Sequence, residues 1–162
     1  MLQAQSTDWQ TPKDLFDRLW DEFGPFDLDP CGQREHHYTA WRIAHKGGGF
    51  YDGSTEAMDG LLQPWYGKVY MNPPYGREMP KWIDKAVSEV ECGNAELVVA
   101  LIPSRTDTKV WQRYIVRGWA GAGMLHAHPR LAELHFLPGR LKFGGATGPA
   151  PFPSAVVVWR QQ

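Results

Sequence analysis

Several kinds of residue and pattern are scarce in this chain, and each scarcity excludes something. Among 162 residues there are two cysteines, Cys31 and Cys92. They form no disulfide framework and match no zinc-ligand spacing, which excludes a disulfide-stapled mini-domain and a zinc finger. The six histidines include His36, His37 and His45, but their spacing fits no strong metal signature, so no metal is expected. No apolar run approaches the ~20 residues that cross a bilayer. Residues 1–8 are polar and lack an apolar signal core, so no membrane association is expected and a reducing cytoplasm is the natural setting. Internal repeats and clean linkers are also missing, which favours a single domain over residues 1–162.

An excess of one charge is missing too. The formal net charge is -1, so the chain as a whole is no polycation. The distribution is uneven, however. Residues 1–100 carry 9 Lys/Arg against 16 Asp/Glu, and residues 101–162 carry 8 against 2. Such asymmetry suggests one basic face for a polyanion. With 43% hydrophobic and 22% charged residues the chain reads as globular.

The patterning alternates between helix and strand. Thr11-Pro12 suits a helix start, with Thr11 as cap and Pro12 in the first turn. Leu15, Phe16, Leu19, Trp20 and Phe23 follow at helical spacing, and Gly24-Pro25 stops the run. Residues 26–29 and 68–71 read as strands, and 97–102 as a buried strand. Pro80 opens a helix carrying Trp82, Ile83, Ala86, Val87 and Val90 on one face. Residues 30–67 show no clear period and read as irregular. A helix is expected over 107–116, a weak strand over 123–126, a hairpin over 134–143 through Pro138-Gly139, and a last strand over 155–159. The order predicts an α/β sheet, and ligands in such sheets bind beyond the carboxyl ends of the strands.

Asn72-Pro73-Pro74-Tyr75 stands at such an end. A chance match to this pattern in a chain of this length has a probability of roughly 0.5%. Its residue types suit a reaction at an exocyclic amino nitrogen, whose lone pair is delocalised into a ring. Two acceptors aimed at the two N–H hydrogens localise that pair and stabilise the charge that builds on nitrogen. The Asn72 side-chain oxygen is one acceptor and the Pro73 carbonyl the other. Two consecutive prolines, Pro73 and Pro74, stiffen the loop. Tyr75 offers a ring to hold the plane of a base.

The similarity is wider than four residues. Asp8-Trp9-Gln10-Thr11-Pro12, Phe26-Asp27-Leu28-Asp29-Pro30-Cys31, Asp59-Gly60-Leu61, Asn72-Pro73-Pro74-Tyr75, Pro103-Ser104-Arg105-Thr106-Asp107-Thr108, Gly139-Arg140-Leu141-Lys142-Phe143 and Pro151-Phe152-Pro153-Ser154 run in order along the chain. In these segments the chain resembles the phage-type Dam-like DNA N6-adenine methyltransferases. The resemblance implies a Rossmann-like S-adenosylmethionine-dependent methyltransferase fold, with a mostly parallel sheet and a C-terminal antiparallel strand or hairpin. It implies S-adenosylmethionine as donor, S-adenosylhomocysteine as product and adenine in DNA as acceptor. It also implies the cytoplasm of a bacterial host, with phage or prophage origin, and no obligate protein partner.

Carried over by residue, Asn72, Pro73, Pro74 and Tyr75 are the catalytic set. Trp9, Thr11 and Pro12 resemble the segment along the methionine part of the cofactor. Asp29, Pro30 and Cys31 are similar to the acidic turn that accepts from its amino group. Asp59, Gly60 and Leu61 are similar to the segment that receives its adenine. Two departures stand out: the Gly-x-Gly turn is absent, and no acidic residue is evident at the end of a second strand to hold the ribose hydroxyls, a place for which Asp52 is only a candidate. Arg105, Lys109, Arg113 and Arg117 fall at fourfold spacing and form a phosphate-tracking stripe if helical. Arg140, Lys142 and Phe143 complete the expected DNA contacts, Phe143 either against the target base or in the core. A base inside a duplex cannot reach such a pocket, so a flipped or single-stranded adenine is expected. Two other readings remain open: transfer to RNA adenine or protein glutamine, and an inactive DNA- or cofactor-binding module.

Overall fold

The computed structural model describes residues 9–32, 37–117 and 125–162. Asp8, His36 and the first half of the strand expected over 123–126 lie outside them.

Helix α1, Lys13–Phe23, leads into strand β1, Leu28–Asp29. Helix α2, Tyr38–His45, strand β2, Gly49–Phe50, and a 3-10 turn, Glu56–Met58, follow. Strand β3, Gly67–Met71, helix α3, Met79–Glu91, and strand β4, Ala95–Pro103, form the centre. Helix α4, Lys109–Tyr114, strands β5, Val116–Arg117, and β6, His126–Ala127, then β7, Leu131–Phe136, and β8, Ser154–Arg160, complete the order.

Six strands make one sheet in the order β2-β1-β3-β4-β8-β7. The pairs β1–β2, β1–β3 and β3–β4 are parallel, whereas β4–β8 and β7–β8 are antiparallel. This is a mixed α/β sheet, mostly parallel, with the C-terminal strand reversed. No helix among the described residues is long and apolar enough to cross a membrane.

Period-two alternation splits the sheet residues between two cores. Val69, Met71, Val98, Ala100, Ile102, Val157 and Trp159 pack with α3 and Trp111 of α4 on one face. Tyr70, Leu97, Val99, Leu101, Val156 and Val158 pack with α1 and Ile43 of α2 on the other. Both faces of β4 are covered, which explains its unbroken apolar run. A buried carboxylate pins the loop before β3: Glu89 accepts from the Trp65 N–H at 3.1 Å, from Asn94 Nδ2 at 3.0 Å and from Lys85 Nζ. Burial alone pushes the Glu89 carboxyl up, but the Lys85, Asn94 and Trp65 donors together hold it below its ordinary value.

Four local expectations are corrected. Thr11 does not cap α1; Pro12 occupies the cap position, and the Thr11 hydroxyl is engaged elsewhere. Residues 30–67 are not structureless, since α2 and β2 lie within them. Helix α2 buries only Thr39, Ala40 and Ile43, too short a stripe to show a period. The helix expected over 107–116 is confined to α4, because Val116 and Arg117 pair with β6. No hairpin turns at Pro138-Gly139. Instead β7 pairs with β8, and residues 137–153 form the long connection between them.

Candidate active site

Parallel pairing brings the carboxyl ends of β1, β2, β3 and β4 to one edge. Asp29 ends β1, Asp52 lies two residues beyond β2, Asn72 follows β3 and Pro103 ends β4. Ser154 starts the reversed strand directly opposite Pro103. Three side-chain polar atoms among the described residues are buried without a hydrogen-bond partner: Asn72 Oδ1, Ser104 Oγ and Ser154 Oγ. All three sit on this edge. A buried orphan costs about 1–3 kcal/mol, so three at one edge single it out as the candidate site.

The Asn72 side chain is oriented without ambiguity. Its Nδ2 donates to the Trp9 carbonyl at 2.5 Å and to Thr11 Oγ1 at 3.1 Å. A main-chain carbonyl can only accept, so nitrogen must face Trp9 and oxygen must face away. Oδ1 is thereby left as a buried acceptor with no partner among the described residues. Pro73 is buried beside it, and Pro74 and Tyr75 are half-buried.

Tyr75 is held at both ends. Its hydroxyl donates to the Leu101 carbonyl at 3.2 Å, and its ring meets Phe152 at 5.4 Å and Phe143 at 6.1 Å, both edge-on. Burial, then the nearby Cys31, pushes its hydroxyl well above its ordinary value, so Tyr75 stays neutral. Trp9 closes the group, 5.3 Å from Phe143 and 5.6 Å from Phe152. Phe143 is 1% exposed. It therefore backs this aromatic cluster rather than lining an open surface. The segment after β7 is tied to the N-terminal segment by Gly144 N–H donating to Gln10 O at 2.8 Å. The Ser104 N–H donates to Pro153 O at 2.9 Å, which fixes Phe152 from the other side. Phe152 was missed as a site residue, although it lies in one of the family-like segments.

Two adjoining clefts share Cys31 and Pro74. The first is lined by Trp9, Thr11, Asp29, His37, Thr39, Asn72 and Pro73. Its floor is Asp29, 3% exposed, which accepts from the Cys31 N–H at 3.0 Å and from Thr39 Oγ1 at 2.8 Å. Burial pushes the Asp29 carboxyl up to about 6, and its two donors only partly offset this. Burial, then the Asp29 charge, raises the Cys31 thiol, which stays protonated. The second cleft is lined by Pro30, Gly32, Tyr51, Asp52, Asp59, Gly60 and Trp82. Asp59 Oδ1 accepts from the Leu61 N–H at 2.9 Å, and Asp52 Oδ1 from the Ser54 N–H at 2.9 Å. Gly60 admits no side chain, since a Cβ there would stand 2.1 Å from the Pro30 carbonyl. Pro12 lies just beyond the first cleft, at the head of α1.

Most of the predicted cofactor set lines these two clefts from four segments of chain, whereas Pro12 and Leu61 are not among the lining residues. Asp52 lines the second cleft, two residues beyond β2. Its signal in the sequence was weak because β2 is two residues long and preceded by glycines.

The expected basic stripe is only partly assembled. Lys109, Arg113 and Arg117 line one open hollow with Gln112, His126 and His128. Lys109 and Arg113 also border a second hollow with Lys81 and Tyr114. Arg105 precedes α4 in the turn and is exposed, as is Arg140 in the connection after β7, where Lys142 follows. Among the described residues the one grouping of metal-ligand atoms is Glu22, Glu133 and His135, which includes none of the histidines weighed from the sequence.

In a mostly parallel α/β sheet the carboxyl edge is where ligands bind, and both acceptor-lined clefts lie there. The comparisons make it specific. Residues 1–121 match the sequence model of the family described as DNA N-6-adenine-methyltransferase (Dam). The chain belongs to that family. It is also 29% identical over 103 residues to a "DNA N-6-adenine-methyltransferase" of Escherichia phage T1, an alignment covering 62% of this chain and 37% of that protein. No solved structure matches.

Proposed function

We propose that the chain is a single Rossmann-like methyltransferase domain that transfers a methyl group from S-adenosylmethionine to the N6 amino group of adenine in DNA. One observation carries this reading. The Asn72 amide is saturated at nitrogen and bare at oxygen, which leaves a buried neutral acceptor at a strand end. An amino group donating to Asn72 Oδ1 and to the Pro73 carbonyl has both hydrogens engaged. Its lone pair then points out of the base plane, toward the methyl donor. Positive charge growing on that nitrogen is stabilised by the same two acceptors, which need no reorganisation. The proton leaves after transfer, so no strong general base is required. The Tyr75 ring, backed by Phe143 and Phe152, holds the plane of the base.

The cleft residues fit the cofactor. Asp29, buried with only neutral donors and its carboxyl near pH 6, suits the cofactor's cationic amino group. Asp52 suits the ribose hydroxyls and Asp59 the adenine amino group, with the bare Gly60 wall beside them. Thr11, with Trp9 and Pro12, suits the methionine end. The cofactor, when bound, supplies an electrophilic methyl on a cationic sulfur. Lys109 and Arg113, with Arg117, suit DNA phosphates, and Arg105, Arg140 and Lys142 extend that surface. The adenine must leave its stack to reach a strand-end cleft.

Incubating the protein with methyl-labelled S-adenosylmethionine and, separately, unmethylated DNA, RNA and protein tests the reading. Label in DNA, mapped by sequencing to N6-methyladenine, is the expected result. Label confined to RNA or protein, or equal label with Asn72→Ala, overturns it.

A further inference from the structure

A hydroxyl that helps hold the Asn72 amide also lines the proposed cofactor cleft. Thr11 Oγ1 receives Asn72 Nδ2 at 3.1 Å and lies 2.6 Å from the Tyr70 hydroxyl. Tyr70 is 0% exposed and packed against Phe16 and Phe26, rings that offer its O–H no better acceptor. If Tyr70 accepted from Thr11, its own proton would be stranded among those rings. A buried hydroxyl proton is satisfied when it can be, so Tyr70 is the donor. Thr11 Oγ1 then accepts twice, from Tyr70 and from Asn72. Its own proton has no remaining use inside this network, and Thr11 lines the cleft.

We propose that Tyr70 and Thr11 are positioning residues: Tyr70 orients the Thr11 hydroxyl, and Thr11, together with the Trp9 carbonyl, holds Asn72 Oδ1 toward the target amine. Two consequences follow. The acceptor for the amine is set by residues that do not touch the amine. And a change at Thr11 acts on Asn72 directly, whereas a change at Tyr70 acts on it only through Thr11. The inference rests on the proposed role of Asn72.

Three variants and two readouts test it. At saturating cofactor and DNA, Thr11→Val is expected to lower kcat by about tenfold, the loss of one buried hydrogen bond to a poised group, with KM for DNA within about twofold. Thr11→Ser, which keeps the hydroxyl, should recover kcat to within about twofold of wild type. Tyr70→Phe should lower kcat by roughly threefold with KM for the cofactor little changed, because the Thr11 hydroxyl survives but is no longer oriented. The second readout needs no turnover. In protein carrying isotopic nitrogen at asparagine side chains, both Asn72 Nδ2 protons should exchange slowly. One should become fast in Thr11→Val and slow again in Thr11→Ser. Unchanged exchange in Thr11→Val, or a kcat loss that Thr11→Ser does not restore, overturns the assignment. The exchange pattern supports the network even in a protein that methylates nothing, an outcome that would sink only the methyltransferase reading.

Discussion

Replacing Asn72 by aspartate preserves shape and inverts half of the hydrogen bonding. In the wild type, Nδ2 gives its two protons to the Trp9 carbonyl and Thr11 Oγ1. The ionised carboxylate of Asn72→Asp would set an oxygen against the Trp9 carbonyl oxygen, where a 2.5 Å hydrogen bond now lies. Losing two such bonds at about 0.5–1.5 kcal/mol each gives a cost of about 1–3 kcal/mol before repulsion. For a domain of this length that lowers Tm by about 3–10 °C. The protonated form of the variant carboxyl escapes most of this, because its O–H can donate to the Trp9 carbonyl as the amide does now. That carboxyl is therefore raised in the folded protein above its unfolded value of ~3.9. With the folded value the higher one, the stability it contributes is fully present below the unfolded value and lost as pH rises through the folded one. Calorimetric Tm values of wild type and Asn72→Asp should lie close together near pH ~4 and diverge toward pH ~8. Trp9 fluorescence should report release of the N-terminal segment over the same range. A Tm difference that stays constant across that range would refute the amide orientation on which the site is built.

Other perturbations give equally direct outcomes. The Asp29 carboxyl rises from an ordinary 3.8 to about 6 on burial, an unfavourable shift of roughly 3 kcal/mol for the charged form. The stability this residue contributes is present below pH ~4 and lost as pH rises through about 6. Asp29→Asn should therefore gain Tm on wild type across that window. Saturating S-adenosylmethionine should remove the difference by restoring a partner to the charged form, and thermal scans with and without it check both points. Gly60→Ala drives a Cβ into the Pro30 carbonyl. Cofactor affinity, measured by titration calorimetry, should fall more than about tenfold, with overpacking costing roughly 1–3 kcal/mol of stability. Lys109→Ala with Arg113→Ala removes two cations from the hollow beside α4. The slope of log K against log salt for DNA binding should become shallower by about 2, with no change in which sequences are methylated. An unchanged slope would place the DNA elsewhere.

Much of this protein is written in local pattern. The apolar run of β4 and the stripe of α3 are visible because deep burial leaves a period that one stretch of chain shows by itself. The tetrapeptide is visible because two prolines between an amide and an aromatic ring are chemically unusual. The short elements are not legible. Helix α2 and strand β2 bury too few side chains to impose a period, so Asp52 had no strand end to belong to until β2 paired with β1. The expected hairpin failed for a related reason. Pro138-Gly139 can turn a chain, but the Leu131–Phe136 strand pairs more extensively with Ser154–Arg160 than it could with its own continuation.

The sequence alone determined which chemical groups are available: a neutral amide acceptor, a proline carbonyl, an aromatic ring, several carboxylates and a basic C-terminal part. It determined the α/β class as well, because alternation and helical spacing are properties of neighbouring residues. Only the tertiary structure decided how those groups are used. Thr11 reads locally as a helix cap, yet it reaches 61 residues along the chain to Asn72. Which end of the Asn72 amide faces the cleft depends on a carbonyl 63 residues away. Hydrogen-bond polarity at the site is set by partners that the folded sheet brings together, and no spacing rule within one segment encodes it.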